Sequence, residues 1–347
     1  MPPTLRPRPA ASTGNSRSST PTKASAESTQ PASPSFPTLV HEYVLATRPW
    51  TFTASLVPLL LTTAILFQHS AASSDLYSLP PSLPSFLSAM GALLLVHAAS
   101  NLTNTYFDFV SGRDTKKEAG DRALVDRKHV TERGVLILAV VLYGLATALV
   151  ASTLAHSAYH DALLLFAAGA LLSFFYTSPP FHFKCRALGD VVIYLCFGPL
   201  LTQFTALLLL APPSLPPSYL HLCHLPVGLL TEGILHANNT RDIAMDKKSG
   251  TVTLAGLLGF AWSRRMFIGL VVGAYASSLF LAYSTPYEGM ALTLLSLPVA
   301  LDVISKFQEK SMQKMDETVA KFHSLYGALS VLGVACTPLI RSALGRK

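Results

Sequence analysis

The chain of 347 residues contains little charge, because only 13% of its residues are Asp, Glu, Lys or Arg. That is about half the fraction usual in a soluble globular domain. Hydrophobic residues make up 50% of the chain, and the mean hydropathy is +0.41. These values exclude an ordinary soluble fold and predict an all-α polytopic membrane protein. The net charge of +7 comes without a basic stripe interleaved with aromatic residues, so no nucleic-acid partner is predicted.

Cysteine is also scarce, with four residues in the whole chain. They form no CxxC pair and have no zinc-finger spacing. We interpret all four as small hydrophobic residues of the core. They are Cys185, Cys196, Cys223 and Cys336.

Long apolar stretches are abundant, and a helix needs about 20 residues to cross a bilayer. The pattern predicts nine transmembrane helices, approximately at 46–67, 86–106, 135–155, 161–178, 189–211, 222–240, 266–284, 288–305 and 322–342.

Lys and Arg are missing from every second loop, namely those after the first, third, fifth and seventh predicted spans. The N-terminal tail and the other loops carry all but three of the 26 basic residues, and those three follow the ninth span. Because basic loops stay in the cytosol, this pattern predicts a cytosolic N-terminus and, with nine spans, a luminal C-terminus.

Residues 1–37 are rich in Pro, Ser, Thr and Ala and show no apolar periodicity. This composition predicts a disordered cytosolic tail, followed by one transmembrane domain over 40–342. The tail has basic residues and no acid before Glu27, as a mitochondrial transit peptide would. Its prolines would break the amphipathic helix that such a signal needs, so mitochondria are the alternative location.

Two short acidic clusters end predicted membrane helices on the cytosolic side. The first runs from Asn101 through Asn104 to Asp108 and on to Asp114, and the second spans 238–246. Asn104 and Asp108 are four residues apart, and so are Asp242 and Asp246, which places each pair on one helix face. Acidic pairs beside lipid need a partner, and oxygen ligands suit a hard cation such as Mg²⁺. Facing clusters could hold metal ions on either side of a diphosphate.

Basic residues accompany these acids, and we interpret them as ligands of phosphate oxygens. Lys184 lies between the clusters and could neutralise a leaving diphosphate, although an ordinary positive-inside anchor is the alternative. The second cluster could equally be a salt-bridged helix end, and the outer residues of the first loop a solvated surface. Asp190 fits a helix-start acid or a site residue, and Arg48 and Trp50 fit interfacial anchors.

Four segments together resemble the UbiA superfamily of intramembrane prenyltransferases: 101–114, 121–127, 176–190 and 238–254. The resemblance covers about 40–342. Within the superfamily these segments are similar to the branch of animal proteins and bacterial menaquinone enzymes. Thr105 departs from the broader family, which often has Asp there, so Asn104 and Asp108 must carry more of that metal site.

The resemblance implies a nine-helix bundle around a central cavity with a cytosolic cap. It implies Mg²⁺-dependent transfer of a geranylgeranyl-type chain from its diphosphate to an aromatic or quinol acceptor, giving menaquinone-4 if the acceptor is menadiol. The implied metal ligands are Asn104, Asp108, Asp242 and Asp246, with Lys184 also catalytic. The implied diphosphate-binding residues are Arg241, Lys247, Lys248, Asp114, Asp121, Arg122, Asn101, Asn238, Asn239 and Tyr176.

Other functions stay open at this point. The same superfamily prenylates 4-hydroxybenzoate for ubiquinone, and its animal branch is linked to a sterol-synthesis reductase, which allows a non-catalytic membrane partner. A transporter is disfavoured because the acids lie at helix ends rather than at the midplane. The branch implies a membrane of the endoplasmic reticulum or Golgi.

Overall fold

A computed structural model gives the structure of the chain and describes residues 35–72, 81–114, 123–154, 161–210, 219–343 and 345. Its α-helices are α1 (Phe36–Ala46), α2 (Thr53–Ala72), α3 (Leu83–Val110), α4 (Ala123–Asp126), α5 (Glu132–Leu154), α6 (Asp161–Phe175), α7 (Gly189–Leu195), α8 (Leu201–Leu209), α9 (Leu220–Cys223), α10 (Leu225–Arg241), α11 (Ile243–Ser249), α12 (Leu254–Ser284), α13 (Leu297–Lys306) and α14 (Met315–Ala343). In these ranges the only β-type pairing is an isolated bridge, so the predicted all-α class is confirmed. Of the predicted disordered tail over 1–37, residues 1–34 lie outside the described residues. Helix α1 begins at Phe36, so it includes the last two residues of that predicted tail.

Seven helical stretches in the described ranges are long and apolar enough to cross a membrane. They are Thr53–Ala71, Leu83–Val110, Glu132–Leu154, Gly189–Leu209, Leu254–Ser284, Glu288–Lys306 and Glu309–Ala343. The remaining two predicted spans coincide with shorter helices. The apolar α6 has 15 residues, and α10 has 17 and buries polar side chains. A multi-pass membrane protein is therefore supported, while nine crossings and a cytosolic cap stay predictions.

The surface of α5 shows why these helices suit lipid. Its mean hydropathy over the spanning window is 2.5, yet only 22% of that window is buried inside the protein. Val140 and Leu145 point outward, whereas Ala139 and Ala146 pack inward, where α5 lies against α3. Small residues at the contact let helix backbones approach closely, and the larger apolar residues are left for the bilayer.

The helix that positions the second acidic cluster is α10, which packs between α12 and α14. Leu230 and Ala237 of α10 join a buried cluster with residues of both neighbours. In the same cluster the rings of Phe267 and Phe307 stack with centroids 4.3 Å apart. The Arg241 end of α10 is therefore held by a packed core on two sides.

The fifth predicted span is interrupted by one turn of π-helix, Cys196–Leu200, between α7 and α8. Pro199 lies inside this turn and has no N–H to donate, which removes one bond of the regular ladder. Such wide turns change the direction of side chains and are frequent at functional sites. Here the turn faces the cavity described below.

Close backbone contact between Gly289 and Gly333 joins the turn before α13 to α14. A Cβ at Gly333 would overlap the carbonyl group of Gly289. We expect Gly333→Ala to lower the melting temperature in detergent, since overpacking costs about 1–3 kcal/mol. Circular dichroism or a thiol-reactive dye assay during heating would measure the shift.

Gly144→Ala is the matched control for that substitution. Gly144 lies in α5 with no atom within 4 Å of its hypothetical Cβ. Its melting temperature should be unchanged or slightly higher, because Ala is the better helix former. Equal melting temperatures for the two variants would show that the Gly289–Gly333 contact does not limit stability.

Candidate active site

The first acidic cluster occupies the last turns of α3. The ammonium group of Lys184 donates to Asp108 Oδ2 at 2.6 Å and to Asn104 Oδ1 at 3.3 Å. Arg113 Nε donates to Asp108 Oδ1 at 2.9 Å. Asp108 is buried, so two cations compensate one carboxylate in a site with little water. The structure thus brings together three residues that the sequence predicts to be catalytic.

The turn after α3 explains how Arg113 reaches back to Asp108. Gly112 adopts a left-handed φ of 72°, which favours glycine. The N–H of Arg113 then donates to the carbonyl oxygen of Asp108 at 2.9 Å, and that of Asp114 does so at 3.3 Å. Asp114 therefore lies beside the cluster, whereas Asp121 and Arg122 fall outside the described residues.

The pKa values of Lys184 and Arg113 depend more on the paired carboxylate than on burial. Burial alone would lower the pKa of Lys184, but the adjacent Asp108 carboxylate raises it above its usual value. The pKa of Arg113 is likewise raised by Asp108 against the effect of burial. Both side chains stay positively charged at neutral pH, and they are therefore available to phosphate oxygens.

The second cluster is organised by Arg241 at the end of α10. Its guanidinium donates to both carboxylate oxygens of Asp242, at 2.7 and 2.8 Å, and to Asn238 Oδ1 at 2.6 Å. It also pairs with Asp316 at the start of α14, at 2.9 Å. Burial opposes its charge, but the two carboxylates raise the pKa of Arg241 further above its usual value. A planar guanidinium fixed on three sides orients Asp242 and Asn238 together.

Asp246 lies one helical turn further on, in the short helix α11. Thr253 Oγ1 donates to its Oδ2 at 3.3 Å. Burial is the main cause that raises the pKa of Asp246 to about 6, and the charges of Asp242 and Asp108 add to it while Lys184 acts in the opposite direction. Val252, which follows α11, pairs with Arg186 of the loop that carries Lys184, and this pairing brings the second cluster next to the first. Lys247 and Lys248 are exposed on the same short helix.

Backbone hydrogen bonds hold the Lys184 loop against the segment that follows the second cluster. The N–H of Ala187 donates to the carbonyl oxygen of Val252 at 2.6 Å, and that of Val252 donates to Cys185 at 3.3 Å. The N–H of Lys184 itself donates to the carbonyl oxygen of Tyr176 at 2.8 Å. These bonds fix the ammonium group between the clusters without depending on side-chain packing.

Three predicted diphosphate ligands are engaged elsewhere. The amide of Asn101 donates to the carbonyl oxygen of Thr47 at 2.8 Å and to Thr51 at 3.1 Å, which ties α3 to the chain before α2. Asn239 is buried and directs its amide to Asp190 at 3.5 Å. Tyr176 is buried, and its side chain lines the cavity described next. Asn101 and Asn239 thus position helices rather than face the clusters.

An apolar cavity of about 670 Å³, including the space at its mouth, extends from Tyr176 into the bundle. Its walls come from α3, α6 and the π-helical turn, and few of its lining groups are polar. The apolar lining suits an apolar ligand with a small number of polar contacts. The polar side chains on its wall are Ser55, His97, Ser100, Ser173 and Tyr176.

Sequence reasoning missed residues whose role depends on distant contacts. The predicted site residues do not include Arg113, although its position directly after Gly112 could have indicated a turn back towards Asp108. Arg48 was interpreted as a membrane anchor, yet it has a left-handed φ of 54° and donates to Thr105 at 3.5 Å, inside the first cluster. His97 lines the cavity and contacts Ser55 at 2.7 Å. No local pattern marks it among the 11 histidines.

The acidic residues fit a divalent cation. Their donors are carboxylate and amide oxygens, as Mg²⁺ prefers. Asp108 and Asp242 are balanced here by Lys184, Arg113 and Arg241. Burial and two nearby carboxylates oppose the ionisation of Asp246, and a bound cation would remove that penalty.

Comparison with known proteins places the chain in a family. The UbiA prenyltransferase family matches residues 59–326. The chain is 39% identical to UbiA prenyltransferase domain-containing protein 1 of Xenopus tropicalis over 301 residues, which cover 85% of this chain and 82% of that protein. It is 36% identical to the Homo sapiens protein of the same name over 299 residues, 85% of this chain and 84% of that protein.

Solved structures share the fold at low sequence identity. A UbiA homolog from Archaeoglobus fulgidus bound to DMAPP and Mg²⁺ has a TM-score of 0.58 at 13% identity, with 84% of this chain and 99% of that chain covered. A digeranylgeranylglyceryl phosphate synthase also has a TM-score of 0.58, at 16% identity, with coverage of 86% and 99%.

Proposed function

The chain belongs to the UbiA prenyltransferase family, and from that premise we propose that it transfers a geranylgeranyl-type chain from its diphosphate to a naphthoquinol such as menadiol, which gives menaquinone-4. The observation that carries this proposal is the contact of Lys184 with Asp108 and Asn104, next to an apolar cavity whose wall includes Tyr176, the backbone partner of Lys184. The naphthoquinol acceptor is favoured by the Leu-Val-Asp-Arg string at 124–127, which is similar to the menaquinone branch.

In this proposal the two acidic clusters bind the diphosphate end of the prenyl donor. We infer that Asn104, Asp108, Asp242 and Asp246 hold Mg²⁺, as the family homologue with bound Mg²⁺ and DMAPP suggests. Bound Mg²⁺ supplies positive charge that stabilises the departing diphosphate. Lys184 and Arg113 already touch one of these carboxylates, so their charges lie beside the oxygen that gains negative charge when the C–O bond breaks.

The apolar cavity receives the isoprenoid chain and protects the allylic cation. Breaking the C–O bond leaves a carbocation that water would quench, and the apolar walls exclude water. The acceptor ring then forms a C–C bond to this carbon and loses the proton from the attacked position, while diphosphate is released. The ring of Tyr176 lines this cavity and offers a π face to the cation.

Two other functions rest on the same fold. A 4-hydroxybenzoate acceptor would need the same diphosphate site and a different fit in the cavity. A non-catalytic partner of a sterol-synthesis reductase would not need the two clusters, and their presence favours an enzyme. We propose that the N-terminus lies in the cytosol, because Lys and Arg concentrate in the tail and in the loops on the same side. The similarity to the animal branch favours a membrane of the endoplasmic reticulum or Golgi.

Product analysis with purified protein in nanodiscs tests the proposal. Geranylgeranyl diphosphate, Mg²⁺ and reduced menadione should give menaquinone-4 by mass spectrometry, and EDTA should abolish it. Formation of a prenylated 4-hydroxybenzoate instead would keep the reaction and replace the acceptor. Failure with both acceptors, in protein that binds prenyl diphosphate, would favour the partner function.

Affinity for Mg²⁺ should depend on pH through Asp246. Its pKa is raised to about 6, so below that pH a metal ion must displace a proton from this carboxyl group. We expect the Mg²⁺ dissociation constant to rise roughly tenfold per pH unit below that value and to level off above it. Calorimetric titration of the purified protein with Mg²⁺ across about pH 5 to 8 measures this. A pH-independent constant over that range would contradict Asp246 as a ligand.

A further inference from the structure

A second group of potential metal ligands lies deeper in the protein than the two acidic clusters. It consists of Asp190 in the first turn of α7 and of Glu232 and His236, which are four residues apart on α10. One potential ligand atom from each residue lies within 4.8 Å of the other two. All three side chains are buried, with residue exposures between 0% and 3%. Neither the proposed diphosphate site nor the cavity uses them.

The backbone fixes which nitrogen of His236 faces the carboxylates. Nε2 lies 3.0 Å from the carbonyl oxygen of Ser263, and since a carbonyl oxygen can only accept, Nε2 carries the hydrogen. Nδ1 then points at Asp190 Oδ1 at 3.2 Å. A histidine whose outer N–H is held by a backbone carbonyl is the usual arrangement of a metal ligand, because it directs the other lone pair at the ion.

Glu232 shows that this group is incomplete as it stands. Its residue exposure is 3%, and neither carboxyl oxygen has a hydrogen-bond donor at normal distance in the described part of the chain. The group that interacts with it is a second acid, the carboxyl group of Asp190. A buried carboxylate without compensation is costly, and two of them side by side are more so. The side chain is aimed at Asp190 and His236, so a positive group located there would compensate both acids at once.

The distance between the His236 imidazole and the Asp190 carboxylate suits a shared ion, and the third ligand atom lies within 4.8 Å of both. Zinc bonds to nitrogen and carboxylate oxygen of about 2.0–2.2 Å place neighbouring ligand atoms about 3.0–3.6 Å apart. The Nδ1–Oδ1 distance of 3.2 Å falls in that range. We propose that Asp190, Glu232 and His236 bind a borderline divalent transition metal of the Zn²⁺ class, separate from the oxygen-only Mg²⁺ site. A mixed set of one imidazole and two carboxylates favours such an ion over Mg²⁺.

Such an ion would stabilise the relative position of two helices that lead to the active site. It would join the start of α7, directly after the Lys184 loop, to the helix that ends in the second cluster. Asn239 lies on α10 between this group and the second cluster, and its amide donates to Asp190 Oδ2 at 3.5 Å. The inference stands without the proposed prenyl transfer, since it rests on the donor set alone.

Metal analysis of the purified full-length protein is the test. The protein is stripped with chelator, incubated with Zn²⁺ in the presence of excess Mg²⁺, freed of unbound metal and measured by plasma mass spectrometry. We expect about one bound Zn²⁺ per chain in the wild type and a loss of at least about tenfold in affinity for Glu232→Gln and His236→Gln. Asp242→Asn should retain Zn²⁺, which separates this site from the diphosphate site.

His323→Gln is the matched control for a buried histidine. His323 is fully buried on α14 and contacts Thr231, which neighbours Glu232 in sequence, but it is not part of the group. Its variant should bind Zn²⁺ as the wild type does. Equal metal content in all variants, or none in the wild type, would overturn the proposal and leave a proton-sharing carboxylate–imidazole group.

If the variants fail to fold, Co²⁺ binding to the wild type tests whether the metal site exists. Co²⁺ occupies zinc sites, and X-ray absorption reports its ligands. A coordination shell with one imidazole that excess Mg²⁺ does not displace is expected. A shell of oxygens alone, or displacement by Mg²⁺, would refute the site.

Discussion

Replacing Asp242 with Asn should abolish prenyl transfer while the protein keeps its fold. The substitution removes one charge from the proposed Mg²⁺ site, and we expect a loss in turnover of at least about a hundredfold. The fold should persist because Arg241, which pairs with Asp242, keeps its contacts with Asn238 and Asp316. The Asp242 side chain is also 27% exposed, so the uncharged amide remains partly hydrated.

Turnover and thermal unfolding in the same detergent measure both halves of this prediction. Asp302→Asn is the matched control, since Asp302 pairs with Lys306 on α13 at an exposed position away from the clusters. That variant should keep both activity and melting temperature, because exposed pairs contribute little. A large drop in the melting temperature of Asp242→Asn would instead identify its ion pair as structural.

Asp108→Asn should cost stability as well as activity. This carboxylate is 7% exposed and is the shared partner of Lys184 and Arg113, so its neutralisation removes the anion that both adjacent cations contact. Breaking a buried ion pair on one side costs about 3–5 kcal/mol. We expect a clearly lower melting temperature than for Asp242→Asn, together with loss of turnover.

A double variant separates the two effects of that substitution. Adding Arg113→Gln removes one of the two cations, so the melting temperature should recover in part while turnover stays lost. If the double variant were less stable than Asp108→Asn alone, the charge imbalance would not explain the destabilisation.

Much of the fold could be predicted because membrane helices carry their signal in local composition. Each of the nine predicted spans overlaps a helix in the described ranges, and seven of them are apolar and long enough to cross a bilayer. The sixth, which contains α10, is less certain because it buries Glu232 and His236 instead of facing lipid. A hydropathy pattern cannot distinguish a crossing helix from one that is enclosed by the others.

The site was predictable to the extent that its residues share a helix face. The i,i+4 spacing places Asn104 and Asp108 on one helix face, and in the structure both contact Lys184. Spacing could not show that the amide of Asn101 binds the chain before α2, or that Arg113 turns back onto Asp108. Such roles depend on contacts between segments distant in sequence or on one glycine turn. The group of Asp190, Glu232 and His236 was missed for the same reason.

The helix α14 connects two features that were described separately. Asp316, which pairs with Arg241 of the second cluster, lies at one end, and Gly333, which contacts Gly289, lies 17 residues further along. At 1.5 Å per residue these points are about 25 Å apart on one rigid element. Because one continuous helix carries both residues, a shift of its backbone at Gly333 would also displace Asp316 and its ion pair with Arg241. A substitution at the Gly289–Gly333 contact could therefore disturb the second cluster from about 25 Å away.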